Sequence, residues 1–423
     1  MQHNPSAVKV RIMLPVPQQL FDHSSHGANK ALGGRDLAFG DRDVLGTPVT
    51  ELNTPLVTLE EQALTHNART MAEWCRDHGV LLAPHGKTTM SPQLWQLQLD
   101  EGAWGITLAN VPQLRVARRF GHRRLMLANS LTSPADIAWA SAEASEGVRL
   151  VSWADSLGTV ELLHEHAEQG PLEVMVELGG VGGRTGARTV EEALEVARAV
   201  HEAPNLLLSG VGGYEGALAH ERTETDLGIA REYLGRVAEL HRAAVELYDV
   251  ERSFLSAGGS AFFDVVAEVL RPAAEETGAD VIVRAGAYLV HDAGFCRGVS
   301  PLTGTEHEFA SAMTGWARVV SQPEPGLAIV DVGRRDVSFD VGLPTVAAAC
   351  EVPGGSERAF RGEVVELNDQ HGYVVYGEDQ DPPRVGEVLR LNLSHPCTVL
   401  DKWAVLPVLD AEGTVADLVT TYF

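Results

Sequence analysis

Cysteine is scarce in this sequence: Cys75, Cys296, Cys350 and Cys397 are the whole complement of 423 residues. They show neither a paired framework nor C-x-x-C spacing, which excludes a disulfide scaffold and suits a reducing cytosol. No apolar run approaches the roughly 18 residues of a membrane span, and the N-terminus has no basic flank followed by an apolar core. Neither a membrane helix nor a signal peptide is expected. Positive charge is also short, with 33 Lys+Arg against 58 Asp+Glu and a net charge of -25. Such a chain repels phosphate backbones and anionic lipid, so nucleic acid and membrane are not expected partners. What remains is a soluble, cytoplasmic protein, 44% hydrophobic. It is too long for one core and should form one large and one smaller domain.

Regular patterning is missing from residues 1–45, which read as an extension that wraps the body or stays partly disordered. From Thr54 the chain becomes periodic. Thr58-Leu59-Glu60-Glu61 has the form of a capping box, and Leu64, Ala68, Met71 and Cys75 keep helical spacing behind it. Ser91-Pro92 reads as another helix start, with Glu101-Gly102 as its end. Apolar strands are expected at Val80–Ala83, Gly105–Leu108, Leu125–Ala128, Arg149–Ser152, Val174–Glu177, Leu206–Ser209, Phe254–Ser256 and Val281–Arg284, with amphipathic helical stretches between them. Eight continuous apolar strands alternating with helices mark a parallel (β/α)8 barrel over residues 46–300. An open doubly wound sheet is the competing architecture, but no G-x-G-x-x-G opens the first strand-helix turn. Residues 301–423 carry short strands at Trp316–Val320, Gly326–Val330, Glu363–Leu367, Tyr373–Tyr376 and Glu387–Leu391, a second and mostly β domain.

In a barrel of this kind the carboxyl ends of the strands line the active site. Lys87 follows the first strand in Pro84-His85-Gly86-Lys87-Thr88-Thr89, where solvent is scarce and its ammonium form is disfavoured. Such an amine can form a Schiff base with an aldehyde cofactor. His85, two residues earlier, would share its side of an extended chain and either stack on a cofactor or carry a proton. Arg184 follows the fifth strand within a glycine-rich loop, and Tyr214 follows the sixth. Gly258-Gly259-Ser260 follows the seventh and Gly286-Ala287-Tyr288 the eighth, two loops placed where a barrel binds phosphate. A phosphate clamp, a Schiff-base lysine and an arginine able to face a ring nitrogen point to pyridoxal phosphate.

Those residues, with His291-Asp292, Ser394-His395-Pro396-Cys397-Thr398 and Asp401-Lys402-Trp403, resemble the D-serine dehydratase and D-threonine aldolase family, from about residue 50 to the C-terminus. The resemblance implies a fold-type III pyridoxal phosphate enzyme related to alanine racemase. It also implies a homodimer whose β domain carries metal ligands and helps close the active site. On it rest the roles of Arg184 toward the ring nitrogen, Tyr214 against the ring, and Gly258, Gly259, Ser260, Gly286 and Tyr288 at the phosphate. His395 and Cys397, one residue apart, can project to one side of an extended strand, and imidazole with thiolate favours zinc over hard-oxygen metals. In the family, cysteine at the second position goes with zinc and dehydration, and aspartate with a manganese-type metal and aldol cleavage.

The expected activity is therefore β-elimination from a small amino-acid substrate such as D-serine or D-threonine, with pyridoxal phosphate and Zn2+ as cofactors, giving an α-keto acid and ammonia. D-threonine aldolase and 3-hydroxyaspartate dehydratase are the near rivals, since only pocket walls separate their substrates. A racemase has no need of the His-x-Cys pair, and a non-catalytic carrier has no need of the β domain. His291-Asp292 reads equally as a hydrogen-bonded loop pair. Asp331 and Asp340 are expected to be structural, and His66, His164, His166 and His220 to be solvated or structural.

Overall fold

A computed structural model describes residues 44–423. The expected extension over residues 1–45 falls, but for its last two positions, outside the described residues. The chain enters through strand β1 (Leu56–Glu60) and then builds eight barrel strands. These are β2 (Leu81–Leu82), β3 (Ile106–Leu108), β4 (Arg124–Ser130), β5 (Arg149–Ala154), β6 (Leu172–Leu178), β7 (Leu206–Gly213), β8 (Phe254–Ala257) and β9 (Asp280–Val283). They form one parallel ladder in the order β2-β9-β8-β7-β6-β5-β4-β3. The ring closes where Trp104 N–H donates to Leu82 O at 2.7 Å and Thr107 N–H to Pro84 O at 3.0 Å. Every expected barrel strand is present. Ala83, Met126, Val151, Trp153, Met175, Phe254 and Ile282 pack together inside the barrel, which is therefore a filled core.

The second sheet holds nine strands in the order β11-β14-β13-β12-β15-β10-β1-β16-β17. Its members after β1 are β10 (Met313–Glu324), β11 (Leu327–Val330), β12 (Thr345–Cys350), β13 (Gly362–Leu367), β14 (Gly372–Tyr376), β15 (Val388–Asn392), β16 (Val405–Leu409) and β17 (Val415–Thr420). Five of these were expected. β12 escapes pattern reading because Thr-Val-Ala-Ala-Ala-Cys has weak strand propensity, and β16 because Pro407 interrupts it.

The capping box at Thr58 is not formed. Thr58 lies within β1, fully buried, and accepts a hydrogen bond from Trp316 Nε1 at 3.1 Å. The helix begins only at Glu61 and has no side-chain cap. Leu56, Val57 and Leu59 are buried as well, and burying them stabilises by about 1.5–3 kcal/mol each, more than the ~1 kcal/mol of a cap. A capping box does form at Thr189 and Glu192, ahead of helix Val190–Glu202. The division at residues 46–300 also needs amending. β1 pairs antiparallel with β10 and parallel with β16, so residues 56–60 lie in the second sheet although they precede the barrel.

Candidate active site

The carboxyl ends of the barrel strands and the turn around His395 enclose a cavity of about 640 Å³. Its lining includes His85, Lys87, Arg184, Tyr214, Gly258, Gly259, Ser260, Gly286, His395 and Cys397, drawn from both domains. Tyr288 is the one expected site residue that lies elsewhere. A tight turn over Ala287–Leu289 rotates it away, and its hydroxyl accepts a hydrogen bond from Gln98 Nε2 at 3.0 Å beside Phe309. Ala287 lines the cavity in its place.

Lys87 sits in a single 3-10 turn, Gly86–Thr88, and not in extended chain. A Cβ on Gly86 would stand 2.7 Å from Trp95 Nε1, which donates to Gly86 O at 3.1 Å. Only glycine permits that approach. Burial pushes the Lys87 amine below its ordinary 10.5; Cys397 opposes this, while Arg184 and Arg284 add to it. His85 is held well below the usual imidazole range by burial first, then by Lys87, Arg284 and Arg184. Its Nδ1 is buried without a hydrogen-bond partner among the described residues. Burial thus favours the neutral imidazole, whose Nδ1 is left without a partner.

Arg184 lies with its guanidinium 5.2 Å from the centre of the Tyr214 ring. Two carboxylates pin its loop: Glu177 accepts from Thr185 Oγ1 and Asp155 from Gly186 N–H, each at 3.0 Å. Tyr214 is fixed through its backbone, whose N–H donates to Tyr233 Oη at 3.0 Å.

Two charged residues of this cavity were given no role from the sequence. Arg284, at the end of β9, is buried and donates to Ser256 Oγ at 2.6 Å and Gly213 O at 2.7 Å. The available signal was a charge closing the apolar run Val281-Ile282-Val283 at the end of a barrel strand that faces the site. Glu215 is fully buried, and its carboxylate accepts from Gly258 N–H at 3.0 Å and Gly259 N–H at 3.1 Å. The two amides expected to face a phosphate are thus occupied. Ser260, Ala261 and Phe262, which lead into helix Phe263–Thr277, line the cavity as well, as do Gly286 and Ala287 of the second loop expected at a phosphate; the first N–H groups of that helix have no intrahelical acceptor.

His395 and Cys397 come together at the cavity, but not along a strand. His395 has φ of 47°, and Pro396 leads into the one-turn helix Cys397–Leu400. His395 Nδ1 lies 2.8 Å from Asp340 Oδ2, while Asp340 Oδ1 accepts from Thr398 Oγ1 at 2.8 Å. Asp340 therefore holds the imidazole through Nδ1, and Nε2 is the ring nitrogen that could ligate a metal. Cys397 Sγ lies 3.4 Å from Thr88 Oγ1, on the residue next to Lys87. Among the described residues no group of three or more His, Cys, Asp or Glu could hold a metal. Asp292 clamps its own loop, accepting from Gly294 N–H at 2.9 Å and Cys296 N–H at 3.0 Å. Asp331 is structural, accepting from Thr54 Oγ1 at 2.6 Å and Arg318 N–H at 2.7 Å.

Lys87, Arg184 and Arg284 around an orphaned imidazole nitrogen fit an anionic aldehyde cofactor with a phosphate, and imidazole with thiol fits zinc with open positions.

The class that this fold and cavity define is borne out by family models. "Alanine racemase, N-terminal domain" matches residues 59–289, more than half of the chain, and "Putative serine dehydratase domain" matches residues 312–409. The chain belongs to this family of fold-type III pyridoxal phosphate enzymes. It is similar to 3-hydroxy-D-aspartate aldolase of Paracoccus denitrificans (strain Pd 1222), 27% identical over 89% of this chain and 94% of the relative. Among solved structures it resembles D-threonine aldolase from Filomicrobium marinum, with a TM-score of 0.75, 24% identity, and 89% of this chain and 97% of that one covered. D-threo-3-hydroxyaspartate dehydratase from Delftia sp. HT23 superposes with a TM-score of 0.70 at 21% identity, covering 89% and 99% of the two chains. Among the described residues no helix is long and apolar enough to cross a membrane.

Proposed function

We propose that this chain is a pyridoxal phosphate- and zinc-dependent ammonia-lyase that removes water from a D-3-hydroxy amino acid such as D-serine or D-threonine, yielding an α-keto acid and ammonia. The observation that carries this reading is that Cys397, one of the two metal donors, rests against Thr88 and so beside Lys87. A metal held there would stand at the β-carbon side of a substrate whose α-carbon faces the lysine. When bound, pyridoxal phosphate supplies an electron sink for the α-carbanion and zinc a Lewis acid at the β-hydroxyl.

The chain's own residues then have distinct work. Lys87 Nζ, whose charged form is disfavoured by burial, takes the α-proton and holds it. His85, kept well below the usual imidazole range by burial and by the neighbouring Lys87, Arg284 and Arg184, would face the cofactor as a neutral ring. Arg284, locked by Ser256 and Gly213, is a fixed cation suited to the ring nitrogen. Arg184, the sequence's candidate for that place, is exposed on the Tyr214 ring and suits a carboxylate. His395 Nε2 and Cys397 Sγ would hold the metal. Loss of the β-hydroxyl leaves an enamine that hydrolyses to the keto acid and ammonia. The active assembly is taken to be a homodimer, which sedimentation of the purified protein tests.

Aldol cleavage is the second reading, favoured by the aldolase named among the relatives. Incubation with D-threonine separates the two: ammonia and 2-oxobutanoate support elimination, whereas glycine and acetaldehyde overturn it.

A further inference from the structure

Glu215 is a buried charge in the cavity wall that the reaction leaves unused. Its side chain is fully buried and ends on two backbone amides of a neighbouring loop, and among the described residues it forms no ion pair within 4 Å. It bridges the segments after β7 and β8: the residue before it is Tyr214, and the residue after its two partners is Ser260. The turn it grips has little stiffness of its own. Gly258 stands at φ of 88°, and a Cβ on Gly259 would approach the Tyr214 ring to 3.2 Å, so the sequence keeps glycines that alone would leave the turn free to move. The carboxylate supplies the missing restraint, because both oxygens are used and each bond is charge-assisted. Its charge also acts on Arg284, whose hydrogen bonds among the described residues go to a hydroxyl and a carbonyl.

We propose that Glu215 is a positioning residue for phosphate: by holding the Gly258–Gly259 turn it presents the following amides, at the head of helix Phe263–Thr277, to the phosphate of the cofactor. This rests on the pyridoxal phosphate reading and deepens it, and it reassigns Gly258 and Gly259 from contacting the phosphate to aiming the residues that do.

The test compares two ligands that differ only in the phosphate. Cofactor-free protein is titrated with pyridoxal phosphate and with pyridoxal, for wild type and Glu215→Gln, following absorbance and protein fluorescence. Glutamine keeps the shape but sets an NH2 against one amide, so binding of pyridoxal phosphate should weaken roughly 10- to 100-fold, in line with loss of a hydrogen bond to a charged group. Binding of pyridoxal should change less than about twofold, since Lys87 and the ring contacts stay. Equal weakening of both ligands, or of neither, overturns the proposal, because a merely structural loss would not distinguish them. Glu215→Asp, which keeps the charge, is read in the same way if the glutamine variant does not fold. Wild-type protein that binds neither ligand would instead overturn the cofactor reading.

Discussion

Replacing Asp340 by alanine should weaken zinc binding without touching either metal donor. The carboxylate makes two contacts at 2.8 Å, to His395 Nδ1 and from Thr398 Oγ1, and so fixes both the tautomer and the direction of the imidazole. Partners of this kind are worth roughly 10- to 100-fold in metal affinity. Asp340 is 41% exposed, and water replaces part of what is lost, which puts the expected effect near the lower end, about tenfold or ~1.4 kcal/mol. Competition against a chromogenic chelator, on metal-free protein at fixed pH, reads this directly. Wild-type affinity in Asp340→Ala, alongside clear loss in His395→Ala, would refute the orienting role. Thr398→Val should weaken binding less than Asp340→Ala, because it leaves the Asp340–His395 contact in place.

Other substitutions test other parts of the cavity. Lys87→Ala should fold as wild type by circular dichroism yet lack the visible absorption of bound pyridoxal phosphate; retention of that band removes Lys87 from its role. Cys397→Ala should keep the band but lose zinc and ammonia release, and unchanged release would sink the metal assignment. With burial holding the Lys87 amine below 10.5, condensation of the cofactor-free protein with pyridoxal should rise with pH through a midpoint below that value; in Cys397→Ala the midpoint should fall further, because Cys397 opposes the shift. Gly286→Ala should destabilise by roughly 1–3 kcal/mol in urea unfolding, since a Cβ there would stand 2.3 Å from His85 O, a backbone atom that cannot step aside.

The residues legible in the sequence were those whose neighbours along the chain announce them. Lys87 lies between a short apolar strand and a Ser-Pro helix start, and Tyr214 sits in a glycine-rich segment after another strand. Arg284, Glu215 and Asp340 matter through partners 28 to 71 positions away, such as Ser256 for Arg284 and Gly213 beyond it, and no local pattern carries such pairings. Tyr288 misled for the converse reason: one residue within a tight turn decides which side of the barrel wall a ring faces, and spacing alone is silent on that. At Thr58 the local motif was present and lost, because sheet formation with Trp316 placed the same residues in a strand.

The position of β1 constrains how such a chain can be assembled. Leu59 pairs with Met313 and Val408, so one of its neighbours is made only after nearly the whole protein has left the ribosome. Until β10 is made, Leu56, Val57 and Leu59 have neither strand neighbour, and until β16 is made one edge stays open, an apolar and sticky segment at the start of a half-made molecule. A fragment cut near residue 300 would keep the barrel but carry that strand permanently unpaired, and should aggregate where the full chain does not. Separating the two domains for study would require moving residues 56–60 to the far end of the gene along with the sheet they complete.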